Sequence, residues 1–140
     1  MRRSLDCRRE VSNISIENNK FGNQRSVFLV AEMSANHNRD FDQAVRILHA
    51  AKECGADGVK LQTYTANTLT IDCDNEYFRI GKGTIWDGRT LHDVHSEAYT
   101  PWEWQPRLRE IADRIGLSLF STAFDPSACS FGLKDQMCKE

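Results

Sequence analysis

Nothing in this chain approaches 18 consecutive apolar residues, so no membrane-spanning helix is expected. The opening segment, MRRSLDCRREVSNISIE, carries Arg2, Arg3, Arg8 and Arg9 but no apolar run behind them, so a secretory signal is not expected either. Charge of one sign is also lacking. Against 20 acidic residues stand 18 Lys and Arg, a net charge of -2 that excludes a global surface for nucleic acid or another polyanion, though not a local one. The 5 cysteines (Cys7, Cys54, Cys73, Cys129, Cys138) are odd in number and form no CxxC pair, so reduced cytosolic thiols are expected rather than a disulfide framework. No Cys or His pair has the spacing of zinc ligands. A generic phosphate-binding domain would place a glycine-rich loop after its first strand, and the corresponding SANHN has no glycine. The expectation is a cytoplasmic protein with neither nucleic-acid nor membrane partners.

What is present is organised around Val27 to Thr63. Val27 to Ala31 is an uninterrupted apolar run, the pattern of a strand buried on both faces in a parallel sheet. By the two-residue period, Phe28, Val30 and Glu32 share one side. Asp40 and Gln43 have capping-box spacing. Phe41, Ala44, Val45 and Leu48 then recur at helical intervals up to Gly55. Asp57 to Thr63 reads as a second strand, with Val59 and Leu61 on one side and Lys60 and Gln62 on the other. The repeat of about thirty residues matches a βαβ unit.

Before this unit, SNISIE alternates as a short strand, and a turn over Asn18 to Lys20 suggests a hairpin. After it, residues 64–99 are rich in Thr, Asn, Asp and Gly. Ordered loops of that length are usually functional, and LHDVHSEA within it predicts a short helix. Thr100, Pro101 and Glu103 predict a helix start as N-cap, first-turn proline and capping-box acid. Trp104, Leu108, Ile111 and Ile115 form its stripe, and Gly116 ends it. Leu117 to Ser121 is a third strand, with Phe120 and Thr122 on one side. Strands alternating with helices imply a parallel α/β sheet, whose ligands bind at the carboxyl ends of the strands.

Glu32 and Lys60 both lie near that edge. Glu32 reads either as a solvated loop carboxylate or helix-cap partner, or as a site acid. Lys60 reads either as a lysine on the solvated face of an edge strand, or as an interior cation requiring an anion or carboxylate partner. Gln62 shares its side and could orient a phosphate or carboxylate. Ser34, Asn36, His37 and Asn38 form a polar loop after Glu32, where His37 is expected to hydrogen-bond the loop rather than act as a base. His92 and His95 lack a third ligand and are expected at the surface. Trp86, Trp102 and Trp104 are expected to pack.

FLVAEMSANHN, AKECGADGVKLQTYT, GTIWDGRTLHDVHSEAYTPWEWQ and GLSLFSTAFD, in this order, resemble the sialic acid synthase family over about residues 15–128, and the WDG-to-TPWEW stretch resembles its pseudaminic branch. The resemblance implies the amino-terminal portion of a (β/α)8 TIM-type barrel, about three β/α units preceded by a β-hairpin. It divides the chain into an arm and hairpin (1–25), a partial barrel (26–128) and a divergent tail (129–140), in which the helical pattern is expected to lapse. The implied activity is a C–C bond-forming transfer: phosphoenolpyruvate condenses with a diacetamido-trideoxy amino sugar to give a nine-carbon acid used in surface and flagellar glycans. N-acetylneuraminate or legionaminate synthesis is the alternative within the family.

By motif, Glu32 corresponds to the active-site carboxylate, and Lys60, Gln62 and Thr122 to positions that hold phosphoenolpyruvate; Asn36 joins them as a substrate-binding candidate. The resemblance also implies a divalent metal, Mn or Mg, whose ligands lie outside this sequence, and a homodimer completed by a carboxyl-terminal antifreeze-like domain. Arg39 stands where the family usually has Gly, and Ala123 where it usually has Pro. With three of eight strands, the 140-residue chain is expected to be inactive alone, either as an interrupted reading frame or as a half-barrel completed by another chain.

Overall fold

The alternation in GVKLQT makes a strand with two unlike sides, and the neighbouring strands copy that division across the sheet. The computed structural model describes residues 14–16, 19–21 and 27–134. The expected hairpin is present as β1 (Ile14–Ile16) and β2 (Asn19–Phe21), paired antiparallel from Ile14–Phe21 to Ile16–Asn19. Asn19 and Lys20, expected in the turn, belong to the second strand, while Asn18 lies outside the described residues.

The main sheet is parallel, in the order β3 (Val30–Glu32), β4 (Gly58–Thr63), β5 (Ser118–Ala123). Helices α1 (Phe41–Glu53) and α4 (Gln105–Ile115) cover one side of it. Met33, Val59, Leu61, Leu117 and Leu119 meet Ala44, Leu48, Leu108 and Ala112 there, all buried. Each fully buried Leu contributes about 1.5–3 kcal/mol. The expectation that Val27–Ala31 is covered on both sides is not met. Val27, Leu29 and Val30 are 78%, 55% and 44% exposed, and only Val30–Glu32 pairs as a strand. Among the described residues the helices cover one side only and β3 is an edge strand, which leaves Val27, Leu29 and Val30 largely open to solvent.

Helix α1 begins as expected. Asp40 Oδ1 accepts from the N–H groups of Asp42 and Gln43 at 2.8 and 3.1 Å. The reciprocal half of the capping box is missing, because Gln43 Oε1 is engaged by Arg46. The helix closes with a Schellman arrangement. Gly55 (φ 84°) donates to Lys52 O and Ala56 to Ala51 O.

The next helix start differs from the expectation. Trp102–Trp104 form a 3-10 turn, and α4 starts at Gln105 with Pro106 in its first turn. Thr100 does not cap it, since its hydroxyl is taken by His37. Gly116 closes α4 in the left-handed region (φ 67°). Between β4 and α4 lie α2 (Ala66–Leu69) and α3 (Leu91–Ala98), the latter over the expected LHDVHSEA.

The helical pattern does not lapse after Ala128: α5 runs Pro126–Lys134. Asp125 explains why. Its Oδ1 accepts from the N–H groups of Ser127 and Ala128 at 2.7 and 3.3 Å, while its carbonyl receives Cys129 N–H. Downstream, Phe131 rests against Trp102, with ring centroids 5.2 Å apart. Among the described residues, no helix is long and apolar enough to cross a membrane.

Candidate functional site

Registered parallel strands line up their side chains in rows, and two such rows form the candidate site. Glu32, Lys60 and Phe120 are register partners across β3, β4 and β5; Gln62 and Thr122 are partners one step nearer the carboxyl edge. All five alternate away from the helix-covered side, so they face the open one. Lys60 Nζ lies 2.6 Å from Glu32 Oε2, with the two side chains 35% and 40% exposed. Both sequence readings of Lys60 are therefore partly met. It has its carboxylate partner, and it also stands on a solvated face. An ammonium beside two hydrogen-bonding side chains, Gln62 and Thr122, can hold an anionic ligand, while Glu32 can accept or release a proton at its rim.

The loop after β3 is a chain of tight turns. Backbone N–H groups of Asn36, Asn38 and Asp40 donate to Met33 O, Ala35 O and His37 O. Ser34, Asn38 and Arg39 have left-handed φ values of 47°, 49° and 54°. The Asn36 amide nitrogen donates to Met33 O at 3.0 Å, so Asn36 braces its own loop.

His37 is fully buried, as a loop-bonding residue. Its Nδ1 accepts Arg39 N–H at 3.0 Å, which leaves the proton on Nε2, 3.0 Å from Thr100 Oγ1. Burial, and then the charge of Arg39, hold its pKa below the ordinary histidine value.

Two groupings escaped the sequence reading. On the helix-covered side, Thr63 Oγ1 meets Ser121 Oγ at 2.6 Å and accepts from Gln105 Nε2 at 3.0 Å. Gln105 is fully buried, and this bond ties the start of α4 to the end of β4. On the ligand edge, Tyr64 is crossed edge-on by His95 at 5.7 Å and Phe124 at 5.6 Å. Tyr64 and Phe124 lie two residues past Gln62 and Thr122. That continuation of the strand period was the available signal.

His92 and His95 are not free surface residues. His92 Nε2 lies 2.9 Å from Asn67 Oδ1, and His95 is fixed against Tyr64. The tryptophans pack as expected: Trp104 against His37 and Phe41, Trp86 under Arg89, and Trp102 with its N–H on Tyr64 O at 3.0 Å. Among the described residues, no three His, Cys, Asp or Glu side chains converge where a metal ion could sit. The described residues do not fit the implied divalent metal. Cys54, Cys73 and Cys129 are free thiols; Cys7 and Cys138 lie outside the described residues.

Comparison with known proteins places this geometry in a family. The family model described as NeuB matches residues 47–138, across the expected tail boundary. The chain is 46% identical to the pseudaminic acid synthase of Helicobacter pylori over 100 residues, which is 71% of this chain and 29% of that protein. It is 42% identical to the pseudaminic acid synthase of Campylobacter jejuni over 104 residues, 74% of this chain and 30% of that one. The chain thus spans about a third or less of the length of these curated relatives. In fold it matches an N-acetylneuraminic acid (sialic acid) synthetase from Leptospira borgpetersenii with a TM-score of 0.71, at 21% identity, over 89% of this chain and 38% of that chain. Motifs, parallel sheet and matches agree, and the chain belongs to the NeuB family.

Proposed function

We propose that the Glu32–Lys60–Gln62–Thr122 face is the phosphoenolpyruvate-binding part of a pseudaminic-acid-synthase-type site, built on the first three strands of a (β/α)8 barrel. The observation that carries the reading is the 2.6 Å Glu32–Lys60 pair on an uncovered sheet face, beside the row formed by Gln62 and Thr122. Identity of 42–46% to pseudaminic acid synthases over 71–74% of the chain supports the pseudaminic sugar over N-acetylneuraminate or legionaminate.

In the proposed reaction, the methylene carbon (C3) of phosphoenolpyruvate forms a bond to the aldehyde carbon of the open-chain amino sugar. The aldehyde oxygen becomes a hydroxyl. Water adds at C2, the carbon that carries the phosphate ester; phosphate then leaves by cleavage of the C2–O bond, which makes C2 a ketone, and the protons of the water balance the new hydroxyl and the leaving phosphate. Lys60 binds the anionic ligand, Gln62 and Thr122 supply hydrogen bonds, and Glu32 orients the sugar or carries a proton. Asn36 acts through the loop it braces.

A half-barrel completed by another chain is the second reading, favoured by exposed Val30 and Phe120 on the same face. Titrating the isotope-labelled chain with phosphoenolpyruvate tests the first. Amide shifts are expected at Lys60, Gln62 and Thr122 and are lost in Lys60→Met; shifts elsewhere only would sink the assignment. The 140 residues alone are expected to release no phosphate from phosphoenolpyruvate with any amino sugar. A measurable rate would overturn that expectation.

A further inference from the structure

Arg39 combines two observations that rarely coincide. Its backbone sits in the left-handed region (φ 54°), unfavourable for a residue with a Cβ, and its side chain reaches across to a distant segment. Nη1 donates to Ser96 O at 3.2 Å, Nη2 to Tyr99 Oη at 3.2 Å, and the guanidinium lies over the Tyr99 ring, 4.7 Å from its centre. The Arg39 N–H, through His37 and Thr100, ties the same loop to the next residue along that segment.

We propose that Arg39 is a positioning residue that latches α3 over the ligand edge. Glu32 lies seven residues before Arg39, at the mouth of the loop Arg39 belongs to. Helix α3 carries His95, which crosses Tyr64, two residues past Gln62. The same helix reaches α2 through His92 and Asn67. Arg39 therefore connects the loop that positions Glu32 to the helix that shapes the edge beside Gln62. A left-handed backbone is retained there because the side chain it projects has three contacts across the gap, which glycine could not make. The functional meaning of this latch rests on the phosphoenolpyruvate reading above, but its mechanical part does not.

The test compares Arg39→Gly, Arg39→Ala and Arg39→Lys in the full chain by amide hydrogen exchange, thermal melting and the ring-proton shifts of His95. Arg39→Gly relieves the backbone, so its melting temperature is expected to equal or exceed the parent's. The amides of Val94 to Tyr99 should nevertheless exchange about tenfold faster, and the His95 ring should lose its Tyr64-induced shift. Arg39→Lys keeps a cation that can reach Ser96 O and should restore part of the protection; Arg39→Ala should not. Unchanged exchange in α3 overturns the latch. So does faster exchange spread equally over β4 and α4, which would make Arg39 a general fold stabiliser. A phosphoenolpyruvate titration in parallel separates the two ideas. Loss of α3 protection without any ligand shift at Lys60 in the parent chain keeps the latch and rejects the ligand.

Discussion

Removing the charges of Glu32 and Lys60 one at a time and together separates a structural salt bridge from a pair kept for a ligand. At 2.6 Å the pair is close, but its side chains are 35% and 40% exposed, and water screens much of the attraction. Pairs in such settings are worth about 0.2–1 kcal/mol. A coupling of about 0.5 kcal/mol is expected from the cycle Glu32→Gln, Lys60→Met and the double variant, which is roughly 2 °C in melting temperature for a chain of this size. In about 1 M salt the Debye length falls to about 3 Å, and the coupling should shrink by half or more. Binding should respond differently. A charge-assisted hydrogen bond to a bound anion is worth about 1.5–3 kcal/mol, so Lys60→Met should weaken phosphoenolpyruvate by roughly 10–100-fold. Urea melts at two salt concentrations give the first number and ligand titration the second. A salt-insensitive coupling above about 2 kcal/mol, with phosphoenolpyruvate shifts intact in Lys60→Met, would refute the reasoning and make the pair a structural bridge.

Gly58→Ala should destabilise by about 1 kcal/mol or more, because a Cβ there would meet Ser118 O at 3.1 Å and Phe28 Cε1 at 3.3 Å in a buried strand; urea melts of the variant read it. Stability should also fall on acidification through His37. Its folded pKa lies below the unfolded value near 6.5, so its neutral form's contribution is complete above about pH 6.5 and is lost as pH falls toward the folded value. Burial, and then the charge of His92, lower the pKa of His95 as well, and so His37→Gln should flatten only part of the slope in unfolding free energy between pH 7.5 and 5.

The helix-covered side was readable residue by residue because burial has a period. Val59 and Leu61 in β4, Leu48 in α1 and Leu108 in α4 all lie where alternation or the helical repeat places them. Caps depend on competition, and this is where reading failed. Thr100 had the sequence of an N-cap, but His37, sixty-three positions away, holds its hydroxyl. The segment after Ala128 had lost a helical apolar stripe, yet capping by Asp125 and the Phe131–Trp102 contact are enough to continue the helix.

For the candidate site, the sequence by itself determined which groups point the same way. Lys60 with Gln62, and Phe120 with Thr122, follow from the two-residue period within each strand. Only the tertiary structure decided which of them are neighbours. Strand register pairs Glu32 with Lys60 and Gln62 with Thr122, and register is a property of two segments whose hydrogen bonds form together. The same is true of Arg39. Its place after SANHN marked a departure from the family's usual glycine, but that its side chain reaches Ser96 and Tyr99 depends on a loop closing over about 60 residues of chain, which no local pattern encodes.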